Sequence, residues 1–278
     1  MLFGLFLCFK FLPKDLVNAV LAIYFVVLGA AALTATFYPF LCKLTPNALR
    51  SWKYEWKEFK VPLLMSQPED VTVDVPGVVV GLCSVGFCVW YYVEKHWIAN
   101  NVLGLAFSIQ GIEFLSLGSI QIGCILLVGL FFYDIFWVFC TPVMVSVAKS
   151  FEAPIKLLFP RFDEAAVALA KPFSMLGLGD IVIPGIFVAL VLRYDAHHAY
   201  RTRYFYSAYF GYILGLSTTI LVMLVFNAAQ PALLYIVPSV LGSVGLHAWI
   251  QGEFGQVFHY SEAVEEASAN QGTAKKAQ

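Results

Sequence analysis

Charged residues are scarce in this sequence: they make up 13% of the 278 residues, whereas an average soluble domain has about 25%. Hydrophobic residues reach 60%. This composition excludes a soluble globular domain and predicts a polytopic membrane protein, all-α because open strands cannot cross lipid. The net charge of −1 gives no electrostatic reason to expect a nucleic-acid partner.

Signatures of metal sites and of secretion are also missing. The six cysteines form no CxxC pair and no HExxH occurs, so the sequence predicts no metal and no other cofactor. The first residues, MLFGLFLCFKFLP, lack a basic region and a small-residue cleavage site. They are therefore not expected to be a secretory signal peptide.

Long apolar runs are what the chain has in abundance. A helix that crosses a bilayer needs about 20 mostly apolar residues, so residues 2–12 are expected to form only a partial span. The first full span is expected to end at Tyr38-Pro39, because proline discourages further helix. One membrane domain, 1–250, would contain full spans at 16–36, 77–93, 99–118, 121–147, 173–193, 204–226 and 232–250.

The polar segments are few. Residues 43–76 form the main polar connection: the charged and aromatic run LRSWKYEWKEFK suits a membrane surface. Residues 70–75, DVTVDV, alternate as a strand does, although an irregular loop fits equally well. Residues 148–172 are predicted to be an amphipathic connection punctuated by proline. The polar tail, 251–278, is predicted to be disordered.

The charge distribution carries a weak signal of orientation. Ten of the 17 basic residues lie on one side if the C-terminus is cytosolic, which agrees with the positive-inside rule by a modest margin. Lys275 and Lys276 lie four and three positions from the C-terminus and resemble the di-lysine retrieval signal of endoplasmic-reticulum membrane proteins. A solvated basic pair in a tail is the alternative interpretation.

Two predicted spans each carry one aspartate. Asp134 lies 13 residues from the first end of the span 121–147, and Asp180 lies 13 residues from the last end of the span 173–193. Because consecutive spans run antiparallel, both carboxylates are expected at about 20 Å from the same side of the membrane. A charge at that depth costs roughly 2.5–3.5 kcal/mol or more, so two of them require a joint explanation.

Two carboxylates in close contact share a proton, because both cannot be ionised cheaply. Such a pair provides a general base that activates water and a general acid for the carbonyl and the leaving amine. Aspartic proteases use this chemistry, without a metal. Gly177 and Gly179, on either side of Leu178, weaken the helix near Asp180 and would admit an extended substrate. Tyr133 is expected to support the site by its hydroxyl or by packing, with ordinary aromatic packing as the alternative.

Three ordered motifs resemble those of intramembrane aspartyl proteases. They are Tyr133-Asp134 in one span, Gly177-Leu178-Gly179-Asp180 in the next, and Pro231-Ala232-Leu233 at the start of the last. Runs such as KHWIANNVLGLAFS and MLGLGDIVIPGIF are similar to the signal peptide peptidase family rather than to presenilin. The resemblance extends over about 2–250 and implies the presenilin-like fold of nine membrane helices, of which this chain shows the later eight, the first of them truncated.

The resemblance also implies a function. Asp134 and Asp180 would be the catalytic pair, and Pro231, Ala232 and Leu233 would position the substrate. The substrates would be signal-peptide remnants and type II-oriented segments, cleaved inside the endoplasmic-reticulum bilayer by a homo-oligomer with a cytosolic C-terminus. In relatives the substrate is held as an added strand, for which residues 172–178 are the candidate edge here.

Two other functions compete with this interpretation. Gly215-Leu216-Ser217 and His247 would suit an intramembrane serine protease, although Gly-x-Ser is common in membrane helix packing. Alternatively, the two aspartates would form the ion or proton relay of a transporter or channel. The short loop with Asp195, His197 and His198 is expected to be solvated.

Overall fold

A computed structural model of the chain describes residues 14–45, 53–59, 69–139, 156–160, 173–198, 200, 202–226 and 230–262. These residues form two compact units. The N-terminal unit covers the described residues of 14–110 and 156–177, and the C-terminal unit covers those of 111–139 and 178–262. The predicted partial span at 2–12 and the lysine pair Lys275-Lys276 lie outside the described residues.

The N-terminal unit contains helices and two hairpins. In chain order they are α1 (Lys14–Leu44), β1 (Lys53–Phe59), β2 (Glu69–Asp74), α2 (Val75–Glu94), α3 (Trp97–Phe114, whose last residues belong to the C-terminal unit), β3 (Lys156–Pro160) and β4 (Phe173–Gly177). Helices α1, α2 and α3 share a small core of Ala32, Leu33, Cys88, Leu103 and Ala106. The small side chains among them, Ala32, Ala106 and Cys88, let the helix backbones approach closely.

Helix α1 runs past Pro39 to Leu44, so the expectation that it ends at Tyr38-Pro39 is wrong. In lipid each unpaired backbone group is costly, so a membrane helix gives up the one hydrogen bond that proline removes and keeps the others. The Tyr38 hydroxyl is also fixed by a 2.9 Å hydrogen bond to Asp74. Asp74 in turn caps α2 by accepting the N–H of Gly77 at 3.0 Å.

The first hairpin confirms the strand expected in 70–75 and supplies its partner. β1 and β2 pair antiparallel, with Tyr54 opposite Val73 and Trp56 opposite Val71. The sequence placed the β1 segment at a membrane surface without assigning it a strand, because its charges hide the alternation.

The second hairpin joins two segments for which the sequence predicts different structures. β3 lies in the predicted connection 148–172, and β4 occupies the beginning of the predicted span 173–193. They pair antiparallel, with Leu158 opposite Met175. Only from Gly179 does the predicted span become helical.

The C-terminal unit contains α4 (Ile120–Phe139), α5 (Gly179–His197), α6 (Tyr204–Phe226), α7 (Leu233–Gln251) and the short α8 (Phe254–Phe258). The bounds of α6 agree with the predicted span 204–226, and those of α7 differ by one residue at each end. Helix α4 packs against α5 and α7, and α6 packs against α5 and α7.

Five of the described helices are long and apolar enough to cross a membrane. They are Ile23–Leu44, Val75–Glu94, Ile120–Phe139, Tyr204–Met223 and Leu233–Gln251. Helices α3 and α5 lie at the other two predicted spans, but their composition is more polar. α3 carries Asn100, Asn101, Gln110 and Glu113, whereas α5 carries Asp180, Arg193 and Asp195.

The predicted disorder of 251–278 is wrong for residues 252–262, which fold back onto the unit. Val257 and Tyr260 are buried, and Ser261 bridges Ser119. Arg193 donates to Glu262 at 2.6 Å. The prediction rested on the average composition of 251–278, which is polar. It therefore overlooked the few apolar side chains that anchor residues 252–262. Residues 263–278 lie outside the described part of the chain.

Candidate active site

Asp134 and Asp180 lie on two helices that pack together. Asp134 is on α4 and Asp180 is in the first turn of α5. Both side chains are partly buried, and the two carboxylates are close enough to interact electrostatically. The structure therefore brings together the two aspartates that the sequence paired by depth.

The backbone around Asp180 changes from strand to helix within three residues. Gly177 ends β4, Leu178 is the turn, and Gly179 begins α5 without a side-chain cap. The Leu178 carbonyl accepts the N–H groups of Ile181 at 3.1 Å and Val182 at 2.8 Å. Asp180 thus lies at the helix N-terminus, where the helix dipole favours negative charge.

Two further residues shape the start of α5. Pro184 lies inside the helix, and its missing N–H is the one that would bond to the Asp180 carbonyl. Gly185 faces Ile112, and a Cβ at this position would lie only 2.5 Å from the Ile112 Cδ1. Gly185 therefore lets the last turn of α3, which belongs to the C-terminal unit, approach α5 closely just beyond Asp180.

The third motif contacts the first. Pro231, Ala232 and Leu233 are all buried at the start of α7. The backbone N–H of Leu233 donates to Asp134 Oδ2 at 3.3 Å. The first N–H groups of a helix have no partner inside the helix, and this one is used to hold the carboxylate.

Small residues on α6 fix the position of α7. Ser207, Gly211, Gly215 and Thr219, here called the α6 stripe, recur every fourth residue and face α7. Ser207 donates its hydroxyl to the Ser243 carbonyl at 2.8 Å, and Thr219 contacts the Ala232 carbonyl at 3.4 Å. A Cβ at Gly215 would lie 2.6 Å from the Ile236 Cα. The stripe allows backbone contact along the helix that begins with Leu233.

The serine-protease alternative is not compatible with this geometry. Gly215 serves helix packing, and Ser217 is exposed. The His247 ring packs on Tyr204, with ring centroids 4.5 Å apart. Tyr204 begins α6, and Ser217 lies about 20 Å further along that helix. Ser217 and His247 therefore do not form a pair.

Tyr133 does not have the contacts expected for a hydrogen-bonding role. Its side chain is 47% exposed, and its ring lies against Trp137 on the same helix, with centroids 5.9 Å apart. Among the contacts described for this part of the chain, none joins the Tyr133 hydroxyl to either aspartate. The arrangement fits the packing alternative.

Two polar residues have contacts that the sequence does not predict. Tyr212, on α6, lies within electrostatic reach of Asp180. Asp195 was expected to be solvated, but it is only 2% exposed. It accepts hydrogen bonds from the Thr202 hydroxyl and from the N–H groups of Tyr204 and Phe205, at 2.6, 3.0 and 2.7 Å. The sequence near Tyr212 and Asp195 does not indicate these roles, because the groups that each residue interacts with lie on other elements or across a loop.

Comparison with known proteins gives a consistent result. Residues 1–264 match the sequence profile described as signal peptide peptidase. The chain is 48% identical over 274 residues to the signal peptide peptidase of Mus musculus and 47% identical to that of Homo sapiens. Each alignment covers 94% of this chain and 70% of the relative. Intramembrane protease 2 of Caenorhabditis elegans is 48% identical over 187 residues, which cover 62% of this chain and 40% of that protein.

Proposed function

We propose, from the premise that the chain belongs to the signal peptide peptidase family of intramembrane aspartyl proteases, that Asp134 and Asp180 are its catalytic pair. One observation carries the proposal: Asp134 and Asp180 lie on packed helices within electrostatic reach of each other, and Asp134 also accepts the Leu233 N–H. Nothing in the family match supports a transporter or channel.

The pair would hydrolyse a peptide bond without a covalent intermediate. One carboxylate takes a proton from water, and the resulting hydroxide attacks the carbonyl carbon of the substrate. The other carboxyl group donates its proton to the carbonyl oxygen. When the C–N bond breaks, the first carboxyl group gives its newly gained proton to the leaving amine. A hydroxyl of the tetrahedral diol returns a proton to the second carboxylate, so the pair is back in its starting state.

Leu233 would act as a positioning residue through its backbone. Its N–H fixes one oxygen of Asp134, so the other oxygen is left for water or substrate. Pro231 and Ala232 set where α7 begins, and the α6 stripe holds that start in place. Tyr133, Gly177, Leu178 and Gly179 would support the site by packing and by the strand-to-helix change.

The substrates would be helical membrane segments. The name of the mammalian relatives states that they act on signal peptides, and we extend this to remnants of signal peptides and type II-oriented segments. A helical substrate hides its peptide bonds in its own hydrogen bonds, so it must unwind locally before it is cleaved. Substrates with helix-weakening residues near the cleaved bond are therefore preferred.

An unwound substrate would pair with β4. A two-stranded sheet of β3 and β4 has a second edge on β4, to which a further strand can add. Leu178 alone separates β4 from the helix that carries Asp180. Main-chain hydrogen bonds to β4 would hold the substrate whatever its side chains are.

We place this activity in the endoplasmic-reticulum membrane, with the C-terminus in the cytosol and the chain in a homo-oligomer. The chain is a multi-pass membrane protein. Its location, orientation and assembly are proposed from the resemblance to the signal peptide peptidase family. Lys275 and Lys276 would act as the retrieval signal.

Cleavage of a signal-peptide-derived helix by the purified chain in detergent tests the catalytic assignment. Asp134→Asn and Asp180→Asn keep the side-chain size and remove the acid–base group, so each is expected to lower the rate by about 100-fold to 10,000-fold. Ser217→Ala, an exposed position on α6, is the matched control and should cleave normally. Undiminished cleavage by both aspartate variants would refute the assignment.

A further inference from the structure

Two adjacent asparagines at the start of α3 are bonded to the backbone of β3. Asn101 donates its Nδ2 to the Leu158 carbonyl at 2.8 Å and accepts the Leu158 N–H at 2.7 Å through Oδ1. Asn100 donates its Nδ2 to the Lys156 carbonyl at 2.6 Å. The partners are 56 and 57 residues apart along the chain, so these contacts are specific to the fold.

The Asn101 amide imitates a peptide group of a neighbouring strand. It offers one donor and one acceptor to a single residue, as a hydrogen-bonded strand pair does. Asn100 is only 4% exposed, and its Oδ1 accepts the Tyr91 hydroxyl at 3.2 Å. A buried amide held on both sides in this way has a fixed orientation, which it imposes on β3.

These bonds determine which edge of the hairpin stays open. Both polar groups of Leu158 point to Asn101, so Leu158 and Met175 form a non-hydrogen-bonded pair. The bonds between β3 and β4 are then made by the pairs Leu157–Leu176 and Phe159–Ser174. Since backbone groups alternate along a strand, the N–H and C=O groups of Met175 point to the outer edge of β4.

Pro160 agrees with this assignment. It lies opposite Phe173, two residues from Leu158, so its nitrogen also points away from β4. A proline is tolerated there because no ladder hydrogen bond needs its missing N–H. Within the described residues, no strand covers the outer edge of β4.

We infer that Asn100 and Asn101 form a latch that seals the outer edge of β3 and holds the hairpin in the position that receives substrate, so that a substrate strand adds only to β4. They are positioning residues, which act through the hairpin. This inference rests on the proposed function, because the incoming strand is the membrane segment that the protease cleaves.

Removal of the latch should weaken substrate binding more than chemistry. Asn101→Leu keeps the side-chain volume and removes both hydrogen bonds to Leu158. A hairpin that is in position for only part of the time raises the apparent dissociation constant by the inverse of that fraction. Two hydrogen bonds of ordinary strength correspond to roughly a tenfold rise in KM, with kcat at saturating substrate nearly unchanged.

The assay uses the purified full chain in detergent with a signal-peptide-derived helix, and counts active sites with a hydroxyl-containing aspartic-protease inhibitor. Leu105→Ala, at an exposed position one turn further along α3, is the control and should keep the KM of the unaltered chain. A higher KM for Asn101→Leu at an unchanged number of active sites supports the latch. An unchanged KM overturns it, whether or not the number of active sites falls.

Disulfide cross-linking gives a second test that leaves both asparagines intact. Met175→Cys on β4 should cross-link under mild oxidant to a substrate that carries one cysteine, because directly opposite residues lie about 5 Å apart. Leu158→Cys on β3 lies opposite Met175 on the same face of the sheet, but one strand further from the substrate, at about 10 Å, and should not. Equal cross-linking at the two positions overturns the inference, whereas cleavage that survives loss of either aspartate would refute the catalytic pair instead.

Discussion

A single residue, Asp195, shows how this chain accommodates a buried charge. The carboxylate is almost fully enclosed, yet it accepts three hydrogen bonds, two of them from backbone N–H groups at the start of α6. It therefore acts as an N-cap supplied from the preceding helix, and its negative charge interacts favourably with the positive end of the α6 dipole. Its role is to join α5 to α6 at the end of these helices away from Asp180.

Asp195→Asn should destabilise the chain without changing its chemistry. The asparagine amide presents a donor where a backbone donor already points, so at least one N–H loses its acceptor, at a cost of about 1–3 kcal/mol. Thermal unfolding in detergent should show a lower midpoint, while the cleavage rate per inhibitor-titrated active site stays the same. Thr202→Val removes one of the three donors and should have a smaller effect; an equal or larger effect would contradict the capping role.

At the scale of elements, the α6 stripe is the contact that places the start of α7. No residue larger than glycine fits at position 211 or 215. A Cβ at Gly211 would meet the Ser243 hydroxyl and lie 2.6 Å from the Ser239 carbonyl oxygen. Backbone lies on the other side of both contacts, so the clash cannot be relieved by a side-chain rotation. Any larger residue must therefore push the two helices apart.

Gly215→Ala should lower both stability and cleavage. The added methyl group moves α7 away from α6, and with it the Leu233 N–H that holds Asp134. Overpacking of this kind costs about 1–3 kcal/mol. Gly242→Ala on α7 is the matched control, since a Cβ there meets nothing within 4 Å. It should be neutral or slightly stabilising, because alanine favours helix; equal losses in the two variants would contradict the packing account.

The elements also show how far the sequence could predict this structure. Apolar length was enough to place α6 and α7, and the motifs identified Asp134, Asp180 and Leu233. The apolar pattern alone placed β4 inside a helical span, because the run FSMLG has no period and is compatible with helix or strand. A strand edge at 172–178 was expected only from the resemblance to the family. The latch was missed for a different reason: Asn100 and Asn101 have partners more than 50 residues away, and no local pattern reports them.

At the scale of the whole chain, the segment 252–262 closes one end of the C-terminal unit. The Arg193–Glu262 pair contributes little, since both side chains are partly exposed, at 38% and 27%. Burial of Val257 and Tyr260 dominates, at roughly 1.5–3 kcal/mol for a large apolar side chain. The apolar contacts therefore decide whether this segment stays docked.

Two truncations separate the docked segment from the tail that follows it. A chain that stops after Glu262 should unfold at the same temperature and cleave as the full chain does. A chain that stops after Gln251 should unfold at a lower temperature, because Ile120 loses its hydrogen bond to the Tyr260 carbonyl, at 3.2 Å, together with the buried side chains. Equal unfolding temperatures for the two truncations would show that residues 252–262 do not stabilise the unit.

The measurement that tests the central claim most directly is kcat/KM on one helical substrate for Asp134→Asn, Asp180→Asn and the double variant. The rates are divided by the total protein concentration, because the aspartate variants are not expected to bind the inhibitor that counts active sites. Groups that act as one unit are strongly non-additive, so removal of the second should cost little once the first is gone. The account predicts that both single variants lose at least about 100-fold and that the double variant is hardly slower. Losses that multiply in the double variant, or a single variant with normal cleavage, would contradict a shared catalytic pair.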